Sequence, residues 1–236
     1  MTDAFKYQGD ELELFQHAKN WKKYFSKNIQ PFIKGRVLEV GAGIGATTLL
    51  LNNGTAPSWL MLEPDANMSD QLQIKLEKNE FPVNTFLKKG TINNITDSFD
   101  TIIYIDVLEH IEADRAELKK AFALLNLGGH IIVLSPAFQF LFNPFDKAIG
   151  HFRRYSRKML KEISPDGSIL ISNRYYDTVG YFAALVNKFF LRQHYPSVRQ
   201  VLFWDRWMIP VSRLSDKVFF HSFGKSIIAI WQKTSG

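Results

Sequence analysis

Val37-Leu38-Glu39-Val40-Gly41-Ala42-Gly43-Ile44-Gly45 is the stretch from which the fold is read. A short apolar strand over 36–40 runs directly into three glycines spaced two apart, and residues 46–51 suit a helix. Glycines directly after a strand let the backbone turn sharply and let a ligand approach closely, because a Cβ there would collide or forbid positive φ.

Working outward, a second strand over 58–62 ends at Glu63-Pro64-Asp65. Glu63 lies 18 residues beyond Gly45, where an acid can accept two hydrogen bonds from a ribose diol. Nicotinamide dinucleotide sites share that arrangement, but their glycines follow G-x-G-x-x-G; here the third glycine comes one residue early and Ala46 follows it. Helices are expected over 66–79 and 112–126, with strands over 83–87, 100–105 and 130–134. Strands alternating with helices predict an α/β fold: a Rossmann-like open sheet of about seven strands, mostly parallel, with an antiparallel last strand and helices on both faces. Upstream, Leu12, Phe15, Ala18, Trp21, Phe25 and Ile29 recur every three or four residues, which predicts N-terminal helices over 11–33. Late strands are expected over 168–176 and 225–232, with a helical insertion between them.

The 236 residues suit one domain. Its expected parts are N-terminal helices or a lid over 1–34, a cofactor-binding core over 35–136, an excursion over 137–167 and a substrate-covering insertion over 175–220. With no cysteine, a disulfide scaffold, a cysteine nucleophile and a Cys-based zinc site are excluded. No apolar run reaches the roughly 20 residues that span a bilayer, and no signal peptide is evident, so a soluble cytoplasmic protein is expected. Oligomeric state stays open. The whole net charge of +6 arises late: residues 172–236 carry nine Lys/Arg against three Asp/Glu. Basic and aromatic residues together fit a nucleic-acid platform, an anionic membrane surface, an acidic substrate, or a core with a basic rind.

Five motifs, in order, carry a resemblance. The 39–45 loop resembles motif I of the class I S-adenosylmethionine-dependent methyltransferases, and Glu63-Pro64-Asp65 resembles their acidic second motif. Asp106-Val107-Leu108-Glu109-His110-Ile111 and Gly150-His151-Phe152-Arg153-Arg154-Tyr155-Ser156 are similar to segments of a broad small-molecule subgroup (type 11/12-like), which generally has Tyr at the position of Phe152. Leu127-Gly128-Gly129-His130-Ile131-Ile132-Val133 resembles the family's reverse turn and fifth strand, and Phe223-Gly224-Lys225-Ser226 before the last strand also resembles the family. The resemblance implies S-adenosyl-L-methionine as cofactor and S-adenosyl-L-homocysteine as product. It implies that Gly41, Gly43 and Gly45 pass under the methionine and ribose, that Glu39 supports the loop or reaches the amino group through water, and that Glu63 holds the ribose hydroxyls. Asp65 would sit beside the adenosine, Gly90-Thr91-Ile92 near the adenine edge, and Asp106 opposite the methionine ammonium; Ala42, Pro64, Val107 and His110 complete the set. A carboxylate at 106 suits a sulfonium and an ammonium better than it suits a phosphate-rich dinucleotide.

The reaction read from this is methyl transfer to the oxygen or nitrogen of a small apolar or aromatic acceptor. His110, His151 and Tyr155 are the catalytic candidates, since a hydroxyl or ammonium acceptor must lose a proton. Tyr7, His17, Trp21, Arg154, Tyr176, Phe182 and Trp204 are the expected acceptor contacts. No metal site is expected, because no H-E-x-x-H occurs. A catalytically inactive cofactor-binding protein of the same fold stays open, as does a nucleic-acid methyltransferase. Asn143-Pro144-Phe145-Asp146 lacks one proline of the N-P-P-[YF] loop and follows the fifth strand rather than the fourth, so no nucleic-acid partner is expected.

Overall fold

A computed structural model describes residues 15, 17–191 and 195–235. Seven strands form one sheet: β1 (Val37–Val40), β2 (Trp59–Glu63), β3 (Thr85–Lys89), β4 (Phe99–Ile105), β5 (Leu125–Pro136), β6 (Ser168–Tyr176) and β7 (Ser226–Lys233). Their order is β3-β2-β1-β4-β5-β7-β6. The first five run parallel, and β7 inserts antiparallel between β5 and β6. The order reverses between β1 and β4, and the crevice beyond the carboxyl ends of strands at such a switch point is where open α/β sheets bind ligands.

Alternation along the central strands builds two apolar layers. Leu38, Ile102, Tyr104, Ile131, Val133, Ala229 and Trp231 enter one; Val37, Ile103, Ile132, Leu134, Ile228 and Ile230 enter the other. Successive side chains of a strand face opposite ways, so a strand with helices on both sides must be apolar throughout. The first layer is closed by α4 (Asp114–Ala123) through Leu118 and Ala121, and by α6 (Arg157–Glu162) through Leu160. The second is closed by α1 (Lys19–Ile29), α2 (Ala46–Leu51) and α3 (Ala66–Glu77), through residues such as Phe25, Leu51 and Leu72. Burying one such side chain contributes about 1.5–3 kcal/mol.

Two boundaries differ from expectation. Helix α4 stops at Ala123, and Gly128-Gly129 lies inside β5 rather than ending the helix. An added Cβ on Gly129 would stand 2.8 Å from the Asp100 carbonyl oxygen, so close backbone approach requires glycine there. The third strand starts two residues later than expected, at Thr85.

After β5 the chain makes α5 (Pro144–Ala148) and α6; after β6 it makes α7 (Thr178–Val186), α8 (Val198–Phe203) and α9 (Ile209–Val218). π-helical turns follow α7 and separate α8 from α9. Three buried acids hold this insertion: Asp177 and Asp216 bond within it, and Asp205 and Asp216 bind it to the body. Asp205 accepts hydrogen bonds from the Asn20 and Trp21 backbone N–H groups at 3.0 and 2.8 Å, in the first turn of α1. Asp216 accepts from Tyr24 Oη, the Asp177 and Thr178 backbone N–H groups, and Thr178 Oγ1. Asp177 accepts from Ser212 Oγ at 2.7 Å and from Trp204 Nε1 at 2.7 Å.

Candidate active site

A cleft of about 1430 Å³ opens over the switch point, between the strand ends and the helical insertion. Gly41, Ala42 and Gly43 line its floor. The loop is pinned from below: the Gly41 and Gly43 N–H groups donate to the Leu62 carbonyl at 2.8 Å and to Glu63 Oε2 at 2.7 Å. At Gly41, φ is +70° and an added Cβ would stand 2.6 Å from Val107 Cγ2, so the loop tolerates no side chain there. Gly45 does not reach the cleft; it faces Phe81 and Leu72 beneath α2.

Glu63, Pro64, Gly90, Thr91 and Ile92 line one end of the cleft and Asp106, Val107 and His110 another. Burial raises the Glu63 carboxyl above its ordinary value, with the hydrogen bonds from Asp65 and Gly43 opposing. Asp106 sits at φ +54°, a conformation non-glycine residues adopt at a cost and one that concentrates at functional sites. Its carboxyl is accessible through the cleft yet surrounded by protein, and desolvation pushes it up to about 6, with His151 and Lys225 pulling it back.

Beside it the 137–155 excursion folds back against the end of β4. Asn143 caps α5 by accepting from the Phe145 and Asp146 backbone, and this fixes Asp146. Asp146 accepts from the Asn143 backbone N–H at 2.8 Å, from His151 Nδ1 at 3.0 Å, and from Arg154 through Nε at 2.9 Å and NH2 at 2.8 Å. Those partners hold its carboxyl below the usual range against the opposing effect of burial. The His151 ring meets His110 edge to face, 4.5 Å between centroids. Burial first, then His151, lowers His110 to about 4, against a hydrogen bond to the Gly150 backbone, so His110 is neutral at pH 7. Glu109 is fully buried and pushed well above the carboxylate range by that burial, with Asp106 adding. Its Oε2 accepts from Ser135 Oγ at 2.8 Å, and Oε1 stands 3.9 Å from His151 Nε2. Glu109, His110 and His151 hold ligand-type atoms within 4.8 Å of one another, a set that could take a divalent ion.

The structure corrects several expected roles. Tyr155 is fully buried and donates to Asp114 Oδ2 at 2.8 Å; burial raises its phenol far above the ordinary value, so it holds the excursion to α4 and transfers no proton. Glu39 faces away from the cleft: its Oε2 accepts from Thr48 Oγ1 at 2.6 Å and Trp59 Nε1 at 2.7 Å, tying α2 to β2, and burial raises the carboxyl to about 7. Asp65 is the buried N-cap of α3, accepting from the Met68 N–H. Tyr176 is buried against Tyr24, Phe182 faces outward with Phe223 beside it, and His17 is in an exposed turn. None of these six lines the cleft. Arg154 does, but its guanidinium is committed to Asp146. Trp21 and Trp204 also line it, whereas Tyr7 lies outside the described residues.

Asp146 and Lys225 join the site although neither is among the expected cofactor, catalytic or acceptor residues. The Asn-Pro-x-Asp spacing that makes a capping box was a legible sign of the first. Lys225 comes from the turn before β7, and only the sheet order brings it near Asp106; burial lowers its ammonium, with Asp177 opposing.

With this geometry in place, the comparisons are specific. A family model described as a methyltransferase domain matches residues 13–176. The chain therefore belongs to that methyltransferase family and is an S-adenosylmethionine-dependent methyltransferase. Among solved structures it resembles the [4+2]-cyclase SpnF at 12% identity and a TM-score of 0.63, over 97% of this chain and 95% of that one. It resembles coclaurine N-methyltransferase bound to N-methylheliamine and S-adenosylhomocysteine at 11% identity and a TM-score of 0.62, over 92% and 72%. An S-adenosylmethionine-dependent methyltransferase from Clostridium acetobutylicum gives 12% identity and a TM-score of 0.57, over 92% of each chain. Identities this low establish the fold alone. Sequence comparison with curated proteins finds no match.

The residues present fit the cofactor. The bare backbone at Gly41 leaves room that a Cβ would fill, and Glu63 and Asp106 bring carboxylates to a cleft that would hold a ribose, an ammonium and a sulfonium.

Proposed function

We propose that this enzyme methylates an oxygen or nitrogen of an apolar or aromatic small molecule, and that the His110–His151 pair takes the acceptor's proton. Ligand pockets run to about 300–1000 Å³, so a cleft of about 1430 Å³ has room for a nucleoside cofactor and a second molecule. Ile111, Phe142, Phe145, Trp204 and Met208 supply apolar wall for that molecule. When bound, S-adenosylmethionine supplies an electrophilic methyl group, so the protein's tasks are alignment, exclusion of water and proton removal. Gly41, Ala42 and Gly43 leave space for the methionine and ribose, Glu63 faces the ribose hydroxyls, and Asp106 meets the ammonium.

The observation that carries the proton step is the Asp146–His151–His110 line at the cleft wall. Asp146 orients His151 through Nδ1 and stabilises the imidazolium, so His151 retains the proton as the acceptor's O–H or N–H bond breaks. His110, held near 4, stays neutral and adds no charge beside the cofactor's sulfonium.

Transfer of labelled methyl to a panel of phenols, aryl amines and aliphatic alcohols tests the reading. We expect incorporation into apolar acceptors. The His151→Gln variant should lose about 10²–10⁴-fold in kcat with S-adenosylhomocysteine affinity unchanged. Labelling confined to highly charged acceptors would overturn the acceptor class. Loss of activity on chelation, restored by one divalent ion, would reassign Glu109, His110 and His151 as metal ligands.

A further inference from the structure

We propose that the outer face of the helical insertion is a docking surface for an anionic lipid bilayer. From Val198 to Val218 the chain is one continuous helical run through α8, a π-helical turn and α9. Its inward positions are Val201, Asp205, Ile209, Ser212 and Asp216, all buried and spaced by three and four. Two residues further on at each step, with the same spacing, Phe203, Trp207, Val211, Leu214 and Val218 are 56–68% exposed. A helix resting on a protein core keeps polar residues on its outer face. Here that face is a second apolar stripe, and the exposed Phe189, Phe190, Phe219 and Phe220 extend it at the ends of the neighbouring helical segments.

The charges on this face all have one sign. Asp177, Asp205 and Asp216 are the only acids in residues 172–236, and all three are buried in the internal bonds described above. Arg206 and Lys217 are exposed on this face; Lys188 and Arg199, also exposed, line the cleft. The insertion therefore presents cations and apolar groups to its surroundings and no carboxylate. An anionic bilayer matches both: aromatic and aliphatic side chains enter the boundary of the acyl region while cations meet the headgroups. A nucleic acid would use the cations but leave Val211, Leu214 and Val218 in water. A second copy related by twofold symmetry would set this patch against itself, cation facing cation.

Among the described residues no helix is long and apolar enough to cross a membrane, so the attachment is interfacial. The helical run that carries the outer stripe also lines the cleft through Val201, Trp204 and Met208, so the docking surface and the cleft share one helical element. The inference stands independently of which acceptor is methylated.

Co-sedimentation of the full chain with vesicles of phosphatidylcholine, with and without added phosphatidylglycerol, is the test. Wild-type protein should pellet with the anionic vesicles and be released by salt. Trp207→Ser with Leu214→Ser, and separately Arg206→Gln with Lys217→Gln, should each weaken binding about tenfold or more, with circular dichroism and S-adenosylhomocysteine binding unchanged. Failure of the wild type to bind either vesicle overturns the proposal. So does binding that neither pair of substitutions alters, or a stable dimer in light scattering that Trp207→Ser with Leu214→Ser dissociates. Should a variant misfold, quenching of wild-type tryptophan emission by brominated anionic lipid decides, and absence of quenching overturns it.

Discussion

Carboxylates on the two sides of the cleft are used in opposite ways. On the sheet side, Glu63, Asp106 and Glu109 line the ligand space, and burial pushes all three above their ordinary range. On the helical side, Asp177, Asp205 and Asp216 point into protein and bind backbone N–H groups and side chains of α1, α7 and α9. Glu63 and Glu109 already accept hydrogen bonds from the Gly43 and Asp65 backbone and from Ser135, so the two sets differ in what they face: the first lines the cleft, whereas the second lies within protein and holds the roof in place.

The sharpest break in this contrast should come from Asp216→Ala. It leaves Tyr24 Oη and two buried backbone N–H groups without an acceptor, and we expect a loss of about 3–5 kcal/mol in urea unfolding. On the sheet side, Gly41→Ala meets Val107 and an unfavourable φ. Calorimetry should show S-adenosylhomocysteine affinity down about 100-fold with the fold retained.

Asp106→Asn separates function from stability. Because the folded carboxyl lies above its unfolded value, ionisation destabilises the protein, and the stability present below the ordinary value near 3.8 is lost as pH rises through about 6. The variant should therefore be slightly more stable at pH 7, by less than about 1 kcal/mol because water in the cleft screens the group, and no more stable at pH 3. An ammonium ligand needs the ionised form. Wild-type cofactor affinity should fall as pH drops through about 6, whereas the variant should bind about tenfold more weakly at pH 7 and show no such step. The smallest effect is expected for Trp204→Phe, which removes one hydrogen bond to Asp177 and should cost about 1 kcal/mol in thermal unfolding.

Much of the sheet side is legible in the order of residues along the chain. The glycines at 41 and 43, the acid at 63 and the acid at 106 each follow or end a strand, so short-range chain geometry puts them at one sheet edge. Glu39, Asp65 and Tyr155 sit in equally persuasive motifs, and each instead holds a neighbouring helix. A motif gives a residue's place along the chain, but the direction of its side chain depends on what packs beside it.

The amino-acid sequence by itself determined the alternation of strand and helix, the glycine turn and the concentration of cations after residue 172, because these are set by local backbone preference and composition. Tertiary structure alone decided that residues 110, 146 and 151 meet at one wall. It also decided which stripe of the 198–218 run faces water. Both stripes of that run contain apolar residues, so periodicity could not choose between them; the buried bonds of Asp205 and Asp216 did.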